Sequence, residues 1–232
     1  MEFIERGGKM SKGLFVQAIV KFTLGVILVG TLVFWPAGTL AFWNGWLFMG
    51  ILFVPMFGAG IVMMFKNPYL LQKRLHAKEK RSEQSIVVKL SGLMFLAGFI
   101  VAGLNYRFHW HVLPKGVCIG AAVAFLFAYV IYAEVLRENT YLSRTIEVQE
   151  NQKVISTGLY GIVRHPMYSA TLLLFMVMPL VLGSIISFVI FLAYPIIISK
   201  RIKDEEKLLS EELEGYREYQ KKVKYKLIPF VW

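Results

Sequence analysis

Long unbroken apolar runs, not amphipathic stripes, set the pattern of this chain. The first covers about Leu14 to Trp35 and stops at the uncharged turn Trp35-Pro36-Ala37-Gly38. The second runs from about Trp43 to Phe65, with Trp43 and Trp46 as interfacial aromatics. Two more follow, about Ile86 to Tyr106 and about Gly116 to Leu136. Each has the length of a helix that crosses a bilayer. The first dozen residues are polar and no small-residue cleavage site follows the first run, which predicts a retained span instead of a removed leader.

Between the second and third runs lies Lys66 to Lys89, with seven Lys and Arg. Leu70, Leu71 and Leu75 allow a short helix lying on the membrane there, and the simpler expectation is a solvated basic loop. From Met167 to Ser199 there are 33 largely apolar residues. As one helix they would extend roughly 50 Å against a hydrocarbon core of roughly 30 Å. Pro179 and Gly183-Ser184 mark a break, so the run predicts a tight helical hairpin. Lys200 to Val223 then reads as an amphipathic helix whose apolar arc of about 140° holds Ile202, Leu208, Leu209, Leu213, Tyr216, Tyr219 and Val223, together with Arg201, Glu205, Glu212 and Gln220. Glu206 falls at the edge of that arc and is expected to stay wet.

The fold expected is all-α: a polytopic membrane helical bundle of about six transmembrane segments, the last two a tight hairpin, with a C-terminal amphipathic cytoplasmic helix. Residues 1–136 form a four-span membrane region and residues 137–232 a catalytic region of connector, hairpin and terminal helix. Composition agrees, at 56% hydrophobic residues and a mean hydropathy of +0.56. In a soluble protein a net charge of +11 would suggest nucleic acid. Here only Arg107 and Lys115 of 26 Lys and Arg fall in connectors assigned to the outside, which predicts cytoplasmic N- and C-termini, at the cell membrane in a bacterium, and makes nucleic acid an unsuitable partner. The lone cysteine, Cys118, excludes an intramolecular disulfide. Two histidines flank a tryptophan at His109-Trp110-His111, but with no carboxylate or cysteine near them in sequence, packing is expected and no metal.

Candidate chemistry gathers at the seam between the polar connector and the fifth run. Pro166 suits the first position of a helix, and the residue before a proline is turned toward an extended conformation. His165 should therefore project from a helix mouth, where unpaired N–H groups favour an anion. Arg201 and Glu205 are four apart on the face that must dock, and buried charges need partners. If the terminal helix folds back under the bundle, Arg137, Arg201, Glu205, His165 and Tyr168 line a half-polar chamber at headgroup level. Such a chamber suits a water-soluble cofactor from the cytoplasm and a lipid-like substrate arriving sideways from the bilayer. Glu134, near the end of the fourth span, is a further carboxylate of interest.

These residues carry a resemblance: Gly158-x-Tyr160-x-x-x-Arg164-His165-Pro166-x-Tyr168, then Arg201-x-x-x-Glu205-Glu206-x-x-Leu209, then Tyr216-x-x-Tyr219. The pattern resembles the isoprenylcysteine carboxyl methyltransferases, relatives of the phospholipid N-methyltransferases, over roughly the C-terminal 100 residues. The resemblance implies S-adenosyl-L-methionine as methyl donor. Carried over by position, it implies cofactor contacts at Gln149, Lys153, Val154, Ile155, Tyr160, His165, Pro166, Met167, Tyr168 and Glu205. It implies an acceptor-holding role for Arg201, with Arg137 as a second arginine. Lys153 stands where eukaryotic members resemble one another in having histidine, a departure that bears on the acceptor more than on the cofactor. A phospholipid amine N-methyltransferase, an NADPH-dependent membrane reductase and a non-catalytic lipid-binding protein are the alternatives. The acceptor and the oligomeric state stay open.

Overall fold

A computed structural model describes residues 11–75, 82–142 and 148–232. Helix α1 (Lys12–Ala37) starts where the Ser11 hydroxyl accepts from the Leu14 N–H at 3.1 Å. It ends at Gly38, whose N–H reaches the Phe34 and Trp35 carbonyls. Helix α2 (Trp43–Lys66) returns to the starting end, followed by the short α3 (Pro68–Leu75). Helices α4 (Ser82–Phe108) and α5 (Lys115–Glu138) make the next two crossings. A 3-10 turn at Gly158–Gly161 interrupts the connector before α6 (Pro166–Val181). Then follow α7 (Ile185–Phe191), α8 (Ala193–Glu212) and α9 (Tyr216–Lys222).

Five helices among the described residues are long and apolar enough to cross a membrane, the last being α7 and α8 taken together, and α6 is a shorter apolar helix. The chain is thus an all-helical, polytopic bundle. Its centre is aromatic: Phe48, Phe99, Phe125 and Phe191 are buried around Val33 and Val181. Phe95 meets Phe175 and Phe191 edge-on across α4, α6 and α7. Outward faces carry Val54, Phe65, Val123, Phe127, Val130 and Ile196, all exposed, as a lipid-facing belt requires.

The hairpin turns where its sequence said it would. Gly183 has φ +74°, a left-handed conformation that a side chain disfavours, and the Ser184 hydroxyl then caps α7 by accepting from the Ser187 N–H at 3.1 Å. Three expectations need correcting. The Lys66–Lys89 connector is not simply a wet loop, because Pro68–Leu75 is helical and Leu71 packs with Leu14, Ala18 and Met64. Of the rest of that connector, residues 76–81 lie outside the described residues and residues from Ser82 onward already belong to α4. Nor does a new helix begin at Lys200: α8 runs through it from Ala193, since the arrival of charge marks a change of surroundings, not of backbone. Finally, the amphipathic helix does not continue to Val223. It stops at Leu213 and restarts after Gly215, which takes φ +81°.

Contacts between distant segments define two ends. At one, Asn44, Asn105, Val112 and Gly183 meet. At the other, α3, the connector, the starts of α4 and α6, and the charged half of α8 converge, as the Arg74–Met167 and Gln84–Asp204 contacts show.

Candidate functional site

Backbone chemistry first sets the connector against the start of α6. Pro166 occupies the first helical position and His165 is the N-cap residue, at φ −126° and ψ 62°. The N–H groups of Arg164 and His165 donate to the Tyr225 and Lys226 carbonyls, each at 2.9 Å, which binds the C-terminal segment alongside. The 3-10 turn buries Tyr160, whose hydroxyl accepts from Asn139 Nδ2 at 2.9 Å and whose carbonyl accepts from the Tyr219 hydroxyl at 2.7 Å.

One carboxylate gathers these pieces. Glu206 Oε1 accepts from Arg164 Nε at 2.6 Å and lies 3.2 Å from His165 Nε2, while Oε2 is 2.9 Å from Lys226 Nζ. Arg164 also donates through Nη1 to the Val223 and Lys224 carbonyls, at 2.8 and 3.0 Å. The expectation that Glu206 would stay in water is therefore overturned: it is buried, at 8% exposure. Its place at the edge of the helix arc assumed a single docking partner. The returning segment Val223–Leu227 covers that edge and brings Lys226 as a further partner. The anion met at the mouth of α6 is thus the protein's own.

A second cluster lies one residue away on α8. The Tyr168 hydroxyl accepts from Arg201 Nε at 3.0 Å and donates to Glu205 Oε2, so a phenol stands between the two charges. Arg201 Nη1 also donates to Gln84 Oε1 at 3.1 Å, and Gln84 Nε2 donates to Asp204 Oδ2 at 2.7 Å. Fully buried Gln84 thereby ties the start of α4 to the arginine.

The two clusters share walls of one cavity, about 840 Å³ out to its open mouth. Among the predicted residues, Lys153, Val154, Ile155, Tyr160, His165, Met167, Tyr168, Arg201 and Glu205 line it. Three do not. Gln149 stands behind the wall, donating to the carbonyl of lining residue Tyr141, and Pro166 serves as the helix start. Arg137 points elsewhere, with its side chain 74% exposed and held by Glu134 at 2.6 Å. Sequence reasoning did not assign Arg164, Asn139, Gln152, Leu213, Tyr216 or Tyr219 to the cavity, although they line it. Arg164, Tyr216 and Tyr219 were visible in the spaced motifs, and Leu213 on the apolar arc.

Burial raises the phenols of Tyr160, Tyr216 and Tyr219 above their ordinary pKa, for Tyr216 with the Glu206 and Glu205 charges adding to it. All three remain neutral donors at physiological pH. Tyr216 is 4% exposed and its hydroxyl has no partner among the described residues. An unpaired buried hydroxyl costs roughly 1–3 kcal/mol, so its place on a cavity wall suits a polar ligand group.

Comparison with known proteins bears on this arrangement. Residues 119–211 match the sequence model of the Isoprenylcysteine carboxyl methyltransferase (ICMT) family. This region is similar to that family. The match runs from the first turns of α5 through the connector and α6 to nearly the end of α8, and so includes Tyr160, His165, Tyr168, Arg201 and Glu205. No curated protein matches the chain. Family and apolar helices together support a membrane methyltransferase.

Proposed function

We propose that the protein transfers a methyl group from S-adenosyl-L-methionine to the carboxylate of a lipid-like acceptor, such as an isoprenylated cysteine or a related small isoprenoid. The observation that carries this reading is the cavity itself: Arg201 and Glu205 line one open-mouthed cavity at the end of a membrane bundle, within the span that matches the family. The lining fits the donor. Glu205 offers an anion, Lys153 to Ile155 and Met167 offer backbone and apolar contact, and Tyr216 offers an unpaired hydroxyl.

When bound, S-adenosylmethionine supplies an electrophilic methyl group on a positively charged sulfur. The chain's own residues supply alignment and a dry setting. Arg201 holds the acceptor carboxylate by charge-assisted hydrogen bonds, preferably bidentate. Tyr168 restrains the guanidinium through Nε and Gln84 restrains it through Nη1, so its orientation is fixed before the acceptor arrives. Val154, Ile155, Leu209 and Leu213 exclude water, which strengthens every charge interaction inside. Fixing two reactants in line is worth more here than acid or base assistance. The acceptor enters from the bilayer and the donor from the cytoplasm, with both termini on the cytoplasmic side.

Two measurements test the reading. Detergent-purified protein should bind S-adenosylhomocysteine saturably, and Glu205→Ala should lose that binding while keeping its thermal transition. Incubation with labelled methyl donor and total membrane lipid should yield an alkali-labile methyl ester. Label on a phospholipid amine would replace the carboxylate acceptor, and absence of both label and binding would sink the reading altogether.

A further inference from the structure

Beyond the cavity, the segment after α9 presents an arrangement that the site does not use. Leu227 is buried in the central cluster of the bundle, and its carbonyl accepts from the Ser169 hydroxyl at 2.6 Å. The residues beyond it are apolar and turned outward: Ile228 is 44% exposed, Phe230 87% and Val231 75%. The chain reverses there, with Phe230 at φ +65° and the Lys226, Leu227 and Ile228 N–H groups all donating to the Trp232 carbonyl oxygen. Basic residues precede this tip, since Lys221, Lys222 and Lys224 are all exposed.

The level of this tip follows from α6. That helix has 16 residues and so spans roughly 24 Å, less than the roughly 30 Å hydrocarbon core. If it crosses the core, its two ends lie close to the boundary between hydrocarbon and headgroups. Ser169 is in its first turn, and the carbonyl it holds belongs to the residue just before Ile228. A segment pinned there cannot stand far out in water.

We propose that Ile228, Phe230 and Val231 insert into the bilayer interface, with Lys221, Lys222 and Lys224 at the level of anionic headgroups. The exposed apolar tip presents side chains suited to the acyl boundary, and the lysines match the surface charge of an anionic membrane. The same segment supplies Lys226 to Glu206 and carbonyls to Arg164 and His165, so bilayer and cavity hold it from opposite sides. This inference does not depend on which reaction the cavity performs.

The test is a depth measurement on full-length protein in vesicles of phosphatidylcholine and phosphatidylglycerol. Cys118 is the single cysteine, so a Cys118→Ala background accepts one nitroxide at a time. Labels at Phe230→Cys and, independently, Val231→Cys are compared with Phe127→Cys on the lipid face of α5 and Lys222→Cys on α9. The expected result is collision with oxygen exceeding collision with a water-soluble nickel chelate at 230 and 231, as at 127, and the reverse at 222. Nickel exceeding oxygen at 230 and 231, or protection of both positions from both reagents, overturns the proposal.

Discussion

The two ends of the bundle solve the same problem of closing helices with different chemistry. At the end away from the cavity the buried polar groups are neutral. Asn44 Nδ2 donates to the Val181 carbonyl at 2.8 Å, Asn105 bridges His111 and Gly183, and the Leu113 N–H meets the Gly183 carbonyl at 3.0 Å. At the cavity end, charged groups do this work, through buried Glu206 with Arg164, His165 and Lys226 and through half-buried Arg201 with Tyr168 and Glu205. Neutral groups suffice to close a turn. The expense of desolvating ions at the other end therefore points to a demand beyond folding.

Substitutions at the two ends should separate these roles. The largest effect belongs to Glu206→Ala, which leaves Arg164 buried without its carboxylate. A loss of about 3–5 kcal/mol is expected for breaking a buried ion cluster in this way. A denaturation midpoint in detergent close to that of the parent protein would show that the cluster is not structural. Next comes Arg201→Lys, expected to lower turnover by about 100-fold through misplacement of the acceptor, with the thermal transition little changed. Full turnover in that variant would remove the orienting role.

Asn44→Ala should destabilise by about 1–3 kcal/mol, because the Val181 carbonyl loses its buried donor. Activity per folded molecule should be retained, and a kinetic defect at constant stability would erase the contrast between the ends. A smaller effect of distinctive sign is expected for Tyr216→Phe. Removing an unpaired hydroxyl should leave the unliganded protein equally or more stable, while S-adenosylhomocysteine binding weakens by about five-fold, the value of one hydrogen bond. Calorimetry and thermal shift report both parts. Arg137→Ala should change neither turnover nor stability measurably, because its guanidinium stands in solvent beside Glu134. A marked loss of turnover would bring it back into the site.

Much of this was legible in the chain. Apolar run length determined the crossings, and a 33-residue run longer than any bilayer forced the hairpin at Gly183. Pro166 gave the start of α6 without an alternative. The extension of α8 back to Ala193 was not legible, because a helix leaving lipid for water changes its side chains and not its dihedrals. Glu206 escaped for a different reason. Helical periodicity describes one face toward one neighbour, whereas Glu206 is enclosed by a segment some twenty residues later in the chain, which no periodicity encodes. The position of Arg137 failed on length: one helical turn decides whether a side chain at the end of α5 reaches inward or out.

The meeting of Arg164, His165, Glu206 and Lys226 has a consequence for biosynthesis. These residues come from three stretches of sequence, and Lys226 is the last of them to be made. A nascent chain that has not reached it already holds every candidate crossing among the described residues yet lacks the segment that completes the Glu206 cluster. Insertion is thus finished before competence begins, and a stop codon placed between α8 and Lys226 would leave a properly threaded but unfinished vessel.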